Sequence, residues 1–178
     1  GILLLDSGAQ YIDGTTDITR TITVGNSDPE VCENYTRVLR GHIAVSMARP
    51  TKKTLSADVD ALARQPLKEA GLNYGHGTGH GVGCYLSVHE DGAGISSARK
   101  TPFMPGTLIS NEPGYYKAGA YGIRIENLVL TQKDPRGRMF FETVTLAPYD
   151  RRLIRADMMS KDELKWLNDY HARVEQVI

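Results

Sequence analysis

The chain opens on a short apolar run, Ile2-Leu3-Leu4-Leu5, that ends on an acid, Asp6. Asp13-Gly14 follows as a strong hairpin signal. The chain then resumes at a second acid, Asp17. Ile18, Thr19, Thr21, Ile22, Thr23 and Val24 follow it, a β-branched run suited to a pleated strand. Leu3 to Thr21 is therefore predicted to be strand, turn and strand, with Asp6 and Asp17 brought side by side. Two carboxylates held together repel unless positive charge lies between them. Taken alone, the pair reads as ordinary solvated turn acids.

The period then changes to that of a helix. Val31, Tyr35, Val38, Leu39, His42 and Val45 share one face, which predicts a helix from Pro29 to Met47. Ser27 with Glu30 forms the expected capping box, Pro29 suits the first turn, and Arg49-Pro50 ends the helix. His42 is expected to be a packed or surface histidine. A second helix opens at Ser56 and sets Val59, Leu62, Ala63, Leu67 and Ala70 on one face, with Gly71 as its stop. Pro66 is expected to kink or break it. Ser160 and Glu163 cap a last helix whose apolar side carries Leu164, Leu167, Tyr170 and Val174. Trp166 is expected to serve packing or a subunit contact.

Between the helices the texture is different. Tyr74 to Gly83 holds five glycines and two histidines, His76 and His80, in ten residues, and His89-Glu90 follows. Glycine lets a backbone pass close to something. The HExxH zinc motif and the GxxxxGK[ST] phosphate loop are both missing. By itself the segment reads as a plain loop, as does Ile95 to Pro105. Gly106 to Asn111 is predicted to be a strand that ends at Glu112. Gly122 to Ile125 leads into Glu126, and Asn127 to Leu130 continues as strand. The opening stretch is echoed here: strand, acid, glycine turn, strand, acid. The echo suggests two structurally related halves. Phe141 to Ala147 is predicted to be another strand.

The 178 residues suit one domain with a real core. Lys+Arg and Asp+Glu both number 21, and that balance argues against a nucleic-acid or anionic-membrane partner. Cys32 and Cys84 lack CxxC spacing, which argues against a disulfide scaffold or a thiolate zinc site. No apolar run approaches the roughly 20 residues needed to cross a bilayer. The chain begins inside a strand without an initiator Met, and is expected to be a piece of a longer protein.

Asp6, Asp17, Glu112 and Glu126 are all placed at predicted strand ends or turns, with His80 in the glycine-rich segment between them. Two divalent ions would neutralise four carboxylates. Oxygen-rich ligation with one imidazole suits Mn²⁺, Co²⁺ or Fe²⁺ and tolerates Zn²⁺. The stretches DSGAQYIDGTTDITRT, GHGTGHGVG, VHE, NEPGYY and GIRIENLVL together resemble the catalytic domain of aminopeptidase P, the X-prolyl aminopeptidases among the pita-bread metallopeptidases. The likeness runs from about Leu3 to Ala147, and the tail WLNDYH resembles the cytosolic eukaryotic form.

That resemblance implies an α+β fold of pita-bread type, with two pseudo-symmetric halves around a curved antiparallel sheet. The chain would hold a single, N-terminally incomplete catalytic domain, with residues 148–178 as a C-terminal extension carrying a helix. It implies two divalent metal ions, Mn²⁺ first and Co²⁺ or Zn²⁺ as alternatives, held by Asp6, Asp17, His80, Glu112 and Glu126. Asp17 and Glu126 would bridge both ions. His76 and His89 match histidines that orient substrate and assist proton transfer, Arg124 a residue that steadies the ligand carboxylates, and Tyr116 a tyrosine near the site. The implied reaction is hydrolysis of the bond between an N-terminal residue and a following proline. Water bridging the metals would attack, Glu112 would take its proton, and His89 would steady the oxyanion. A cytoplasmic, homodimeric parent is implied, and the isolated piece is expected to lack part of its substrate wall. The competing expectations are a pita-bread peptide- or protein-binding module without catalysis, and a prolidase-like dipeptidase.

Overall fold

The computed structural model describes residues 1–85 and 87–177. Strands β1 (Ile2–Tyr11) and β2 (Gly14–Thr23) form a long antiparallel hairpin that turns at Ile12-Asp13. The expected hairpin is present, but its strands run much closer to the turn than the apolar run suggested. Ser7 to Tyr11 pair in full with Gly14 to Ile18. Asp6 and Asp17 therefore lie inside the strands, not at their ends. Asp6 pairs with Thr19 and Asp17 with Gly8. The acids share one face as diagonal neighbours and are not directly opposed.

Helix α1 spans Pro29–Met47, as its period predicts. Its cap is Asp28, whose carboxylate accepts from the Glu30 N–H at 2.8 Å. The expected Ser27–Glu30 box does not form, because the Ser27 hydroxyl is hydrogen-bonded to that of Thr23. Helix α2 spans Ser56–Lys68 and continues through Pro66. The expected break is absent because Pro66 lies in the last turn, where its missing N–H forfeits one bond. Leu62 and Ala70, expected on the buried face, are exposed, while Asp60 and Arg64 are buried. Arg64 Nε donates to Asp60 Oδ2 at 2.7 Å, and its other nitrogens donate to the carbonyls of Tyr74 (2.7 Å) and His76 (2.6 Å). Asp60 also accepts from the Thr78 hydroxyl at 2.6 Å. The polar pair turns inward because it anchors the glycine-rich segment.

That segment is not a plain loop. It contains β3 (Gly79–Val82), which pairs with β4 (His89–Ile95) and β5 (Leu108–Asn111). A Cβ at Gly79 would lie 1.9 Å from the Ser110 carbonyl oxygen, so glycine is what allows β3 to approach β5. Strands β6 (Gly114–Lys117) and β7 (Tyr121–Arg124) form a second hairpin. Then β8 (Asn127–Lys133) and β9 (Met139–Thr143) complete an antiparallel five-stranded sheet in the order β4-β3-β5-β8-β9. The last strand ends at Thr143 and does not reach Ala147. Beyond it the Thr145 hydroxyl takes the Leu128 N–H at 2.8 Å, replacing a ladder partner, and Pro148 has no N–H to donate. An isolated bridge between Thr19 and Glu126 joins the first hairpin to the start of β8. In the sequence echo, then, one pair of acids sits inside β1–β2 and the other flanks β6–β7.

Two apolar clusters hold these pieces. One packs Tyr35, Leu39 and Ile43 of α1 against Ile123, Ile125, Leu153 and the last helix. The other packs Val45, Val59 and Ala63 against Ile95, Ile109, Val129 and Phe141 of the sheet. Each buried Val, Leu, Ile or Phe among these contributes about 1.5–3 kcal/mol, so α1, which serves both clusters, is the spine of the fold. His42 is the packed histidine expected. Its Nδ1 lies 3.1 Å from the Asn111 carbonyl and its Nε2 3.1 Å from the Tyr149 hydroxyl. Burial pushes its pKa down to about 3, so it stays neutral. Helix α3 (Lys161–Val174) starts with the expected Ser160–Glu163 box. Trp166 stacks on Tyr170 with centroids 5.3 Å apart and meets His42 edge-on, so it packs within the chain. Among the described residues no helix is long and apolar enough to cross a membrane.

Candidate active site

Four elements bring the predicted ligands together. Asp17 is buried on β2, and Glu126 is held beside Thr19 by the bridge before β8. His80 lies on β3. Glu112 follows β5 and is fixed by its own N–H, which donates to the Thr78 carbonyl at 2.7 Å. Asp17, His80 and Glu126 each offer a ligand atom, and these atoms all lie within 4.8 Å of one another. His80 Nε2 is 3.3 Å from both Asp17 Oδ2 and Glu112 Oε1, which draws Glu112 into the group. Asp6 stands apart from that triad. Its side chain is 51% exposed, and Arg124 Nη2 reaches it at 2.5 Å.

Hydroxyl groups orient the carboxylates. Thr19 donates to Glu126 Oε2 at 2.7 Å and accepts from Arg124 Nε at 3.2 Å. Ser110 donates to Glu112 Oε1 at 3.0 Å and accepts from the His80 N–H at 2.8 Å. Neither hydroxyl stood out in the sequence. The signal was spacing: Thr19 follows Asp17 by two on one face of a strand, and Ser110 precedes Glu112 by two.

The site is short of positive charge. Burial first, then the Glu112 carboxylate, push the Glu126 pKa up to about 8, with Asp17 and Asp6 adding to the rise. Burial likewise raises that of Glu112. For His80, burial would lower the pKa, but the hydrogen bond to Asp17 and the nearby Glu112 outweigh it and raise it. His80 Nδ1 faces the Gly81 carbonyl at 2.7 Å, so that nitrogen carries hydrogen and Nε2 faces the acids. Protonated, Nε2 donates to them. Deprotonated, it offers a lone pair to a cation. Buried carboxylates gathered around one imidazole nitrogen, with the pKa of Glu126 and Glu112 raised, are a donor set suited to divalent ions.

Beside the acids lies a cleft of about 300 Å³ lined by His76, His80, His89, Glu112, Arg124 and two glycines. A larger cavity of about 780 Å³ lies elsewhere, against Phe103 and Met139, and contains none of these groups. Arg124 Nη1 donates to the Tyr116 hydroxyl at 3.1 Å, which in turn lies 2.8 Å from His76 Nε2. His76 Nδ1 faces the Gly77 carbonyl at 2.7 Å. Burial lowers the His76 pKa, in keeping with a neutral ring that accepts from Tyr116. His89 is exposed, its ring centroid 4.0 Å from that of His80.

Residues 1–133 match metallopeptidase family M24, and residues 137–178 match the C-terminal region of that family. The chain belongs to metallopeptidase family M24. This M24 chain is 45% identical over 186 residues to Xaa-Pro aminopeptidase 1 of Dictyostelium discoideum, spanning 100% of this chain and 30% of that protein. It is 44% identical over 187 residues to Aminopeptidase P1 of Arabidopsis thaliana, spanning 99% of this chain and 29% of that one. Among solved structures it resembles the X-prolyl aminopeptidase of Caenorhabditis elegans, described as a cytosolic enzyme with a di-nuclear active site. The TM-score is 0.91 at 39% identity, covering 97% of this chain and 29% of that one. Prolidase from Pyrococcus furiosus is also similar, with a TM-score of 0.73 at 32% identity over 82% of this chain and 41% of that one. The likeness to X-prolyl aminopeptidases and the α+β pita-bread fold expected from the sequence both hold. The M24 chain spans about 30% of the length of these curated relatives.

Proposed function

We propose that the polypeptide carrying this chain is a metal-dependent X-Pro aminopeptidase. One observation carries the proposal: ligand atoms of Asp17, His80 and Glu126, from three separate elements, converge within 4.8 Å in a chain similar to X-prolyl aminopeptidases. Asp17 and Glu126 would be shared by two ions. Asp6 would complete one site, and His80 with Glu112 the other. The carboxylate-rich set favours Mn²⁺ over Co²⁺ or Zn²⁺. When bound, such a pair acidifies water and polarises a carbonyl.

The chain's own groups do the rest. Glu112, its pKa raised by burial, is placed to take a proton. His89, exposed beside His80 on the cleft, donates a hydrogen bond to the substrate carbonyl oxygen as charge builds on it. Arg124 keeps Asp6 and Tyr116 in place, Tyr116 orients His76 at the cleft wall, and burial favours the neutral His76 ring. A proline amide has no N–H and a fixed φ, so it needs a wall that requires neither an N–H donor nor a freely rotating backbone. A neutral imidazole edge at His76 meets that need. The likeness to the C. elegans enzyme supports a cytoplasmic location.

Metal content and peptide cleavage by the full-length protein test this reading. Release of the first residue is expected from a tripeptide with proline second, and no release when alanine replaces that proline. Cleavage of X-Pro dipeptides alone would make the protein a prolidase. Failure to bind any divalent ion would make it a binding module.

A further inference from the structure

Arg20 is buried on β2, beside Thr19, and has no carboxylate partner among the described residues. Its guanidinium instead faces neutral oxygens. Nε donates to the Pro148 carbonyl at 3.1 Å, and Nη1 to the carbonyls of Thr19 at 2.9 Å and Glu126 at 2.7 Å. Nη2 donates to Asn127 Oδ1 and the Ala147 carbonyl, both at 2.8 Å, and to the Tyr170 hydroxyl at 3.1 Å. The plane also lies over the Tyr149 ring, 4.5 Å from its centroid. Tyr170 belongs to α3 and is buried. Its hydroxyl donates to the Ala147 carbonyl at 2.9 Å.

One planar group thus joins three things: the strand carrying Asp17 and Thr19, the main chain of Glu126, and the last helix. The fork geometry of arginine makes this possible, since a lysine has no rigid plane of donors. We infer that Arg20 is a positioning residue that couples Tyr170 of α3 to the backbone of Glu126, so that the terminal helix sets the affinity of the metal centre. This rests on the reading of Glu126 as a metal ligand. Without the Tyr170 hydroxyl the Ala147 N–H loses its acceptor at 3.1 Å and Arg20 Nη2 loses one of its three, so the guanidinium and the Ala147 backbone resettle, and the Glu126 carbonyl and the Thr19 strand shift with them.

The test is calorimetric titration of Mn²⁺ into the metal-free, full-length protein, at a temperature well below the melting point of every variant. Tyr170→Phe keeps the ring stacked on Trp166 and removes only the hydroxyl. Arg20→Lys keeps the charge and removes the fork. Leu167→Ala, a buried apolar position on the same helix, serves as the control for simple loss of stability. Tyr170→Phe is expected to weaken Mn²⁺ binding about 3- to 10-fold and Arg20→Lys about 10- to 100-fold, the range seen when groups supporting metal ligands are lost. Leu167→Ala is expected to melt earlier and bind Mn²⁺ like wild type. Wild-type affinity in Tyr170→Phe, or an equal loss in Leu167→Ala, would overturn the coupling while leaving the metal centre standing. A wild-type protein that takes up no Mn²⁺ would instead remove the centre itself.

Discussion

Oδ2 of Asp6 lies 2.5 Å from Nη2 of Arg124, which puts the most exposed acid of the cluster under the control of the β6–β7 hairpin. The same guanidinium also reaches Thr19 and Tyr116. Arg124→Met should free Asp6, leave Thr19 and Tyr116 without their donor, and weaken Mn²⁺ binding by about 10- to 100-fold. Arg124→Lys should rescue little of this, because one ammonium cannot span three partners. Calorimetric titration of both variants measures it, and near-wild-type affinity in Arg124→Met would remove Arg124 from the centre.

The pH response of the metal-free protein follows from Glu126. Its pKa is 4.5 as an ordinary glutamate and about 8 in the fold, so the folded state holds a proton that the unfolded chain releases. The stability tied to that proton is complete below the ordinary value and is lost as pH rises through about 8. His80, also raised, acts in the same direction. With chelator present, the melting temperature should fall as pH rises from about 7 to about 9, above the range in which the buried neutral His42 and His76 favour folding as pH rises. Saturating Mn²⁺ should raise the melting temperature and flatten this fall, because the ion replaces the proton. A chelated protein whose melting temperature ignores pH over that range would speak against the crowded acids.

Two glycines of the same segment should behave oppositely. A Cβ at Gly79 would press on the Ser110 carbonyl at 1.9 Å, whereas one at Gly75 would meet nothing within 4 Å. Gly79→Ala should destabilise by about 1–3 kcal/mol or more through overpacking. Gly75→Ala should stay within about 0.5 kcal/mol of wild type. Denaturant unfolding of the two variants checks the contrast, and similar midpoints would refute the close approach of β3 to β5.

Where local chemistry alone decides an element, the sequence was readable. The 3.6 period of α1, the Ser160–Glu163 box of α3 and the Asp13-Gly14 hairpin all appear where they were expected. Strand β4 was not readable, because His89-Glu90-Asp91-Gly92 has no strand-like pattern, and its His89 and Glu90 pair with β3 only because glycine lets the strands lie close. The Asp60–Arg64 pair looks like a surface i, i+4 bridge until the carbonyls of Tyr74 and His76 are found behind it. The acids and His80 were named from motifs, but their placement inside long strands was not, since Ser7 to Tyr11 carry too few apolar residues to mark a strand. Arg20 gave no sign at all. Its acceptors are main-chain oxygens, the Asn127 side chain and a tyrosine about 150 residues away, and only the fold brings them together.

Titrating Mn²⁺ into metal-free wild type and into Glu126→Gln, side by side, reaches the shared carboxylate most directly. Wild type should bind about two ions per chain, and Glu126→Gln at most about one, weakly, because both ions lose a common ligand. Equal stoichiometry and affinity in the two proteins would contradict a centre built on Glu126.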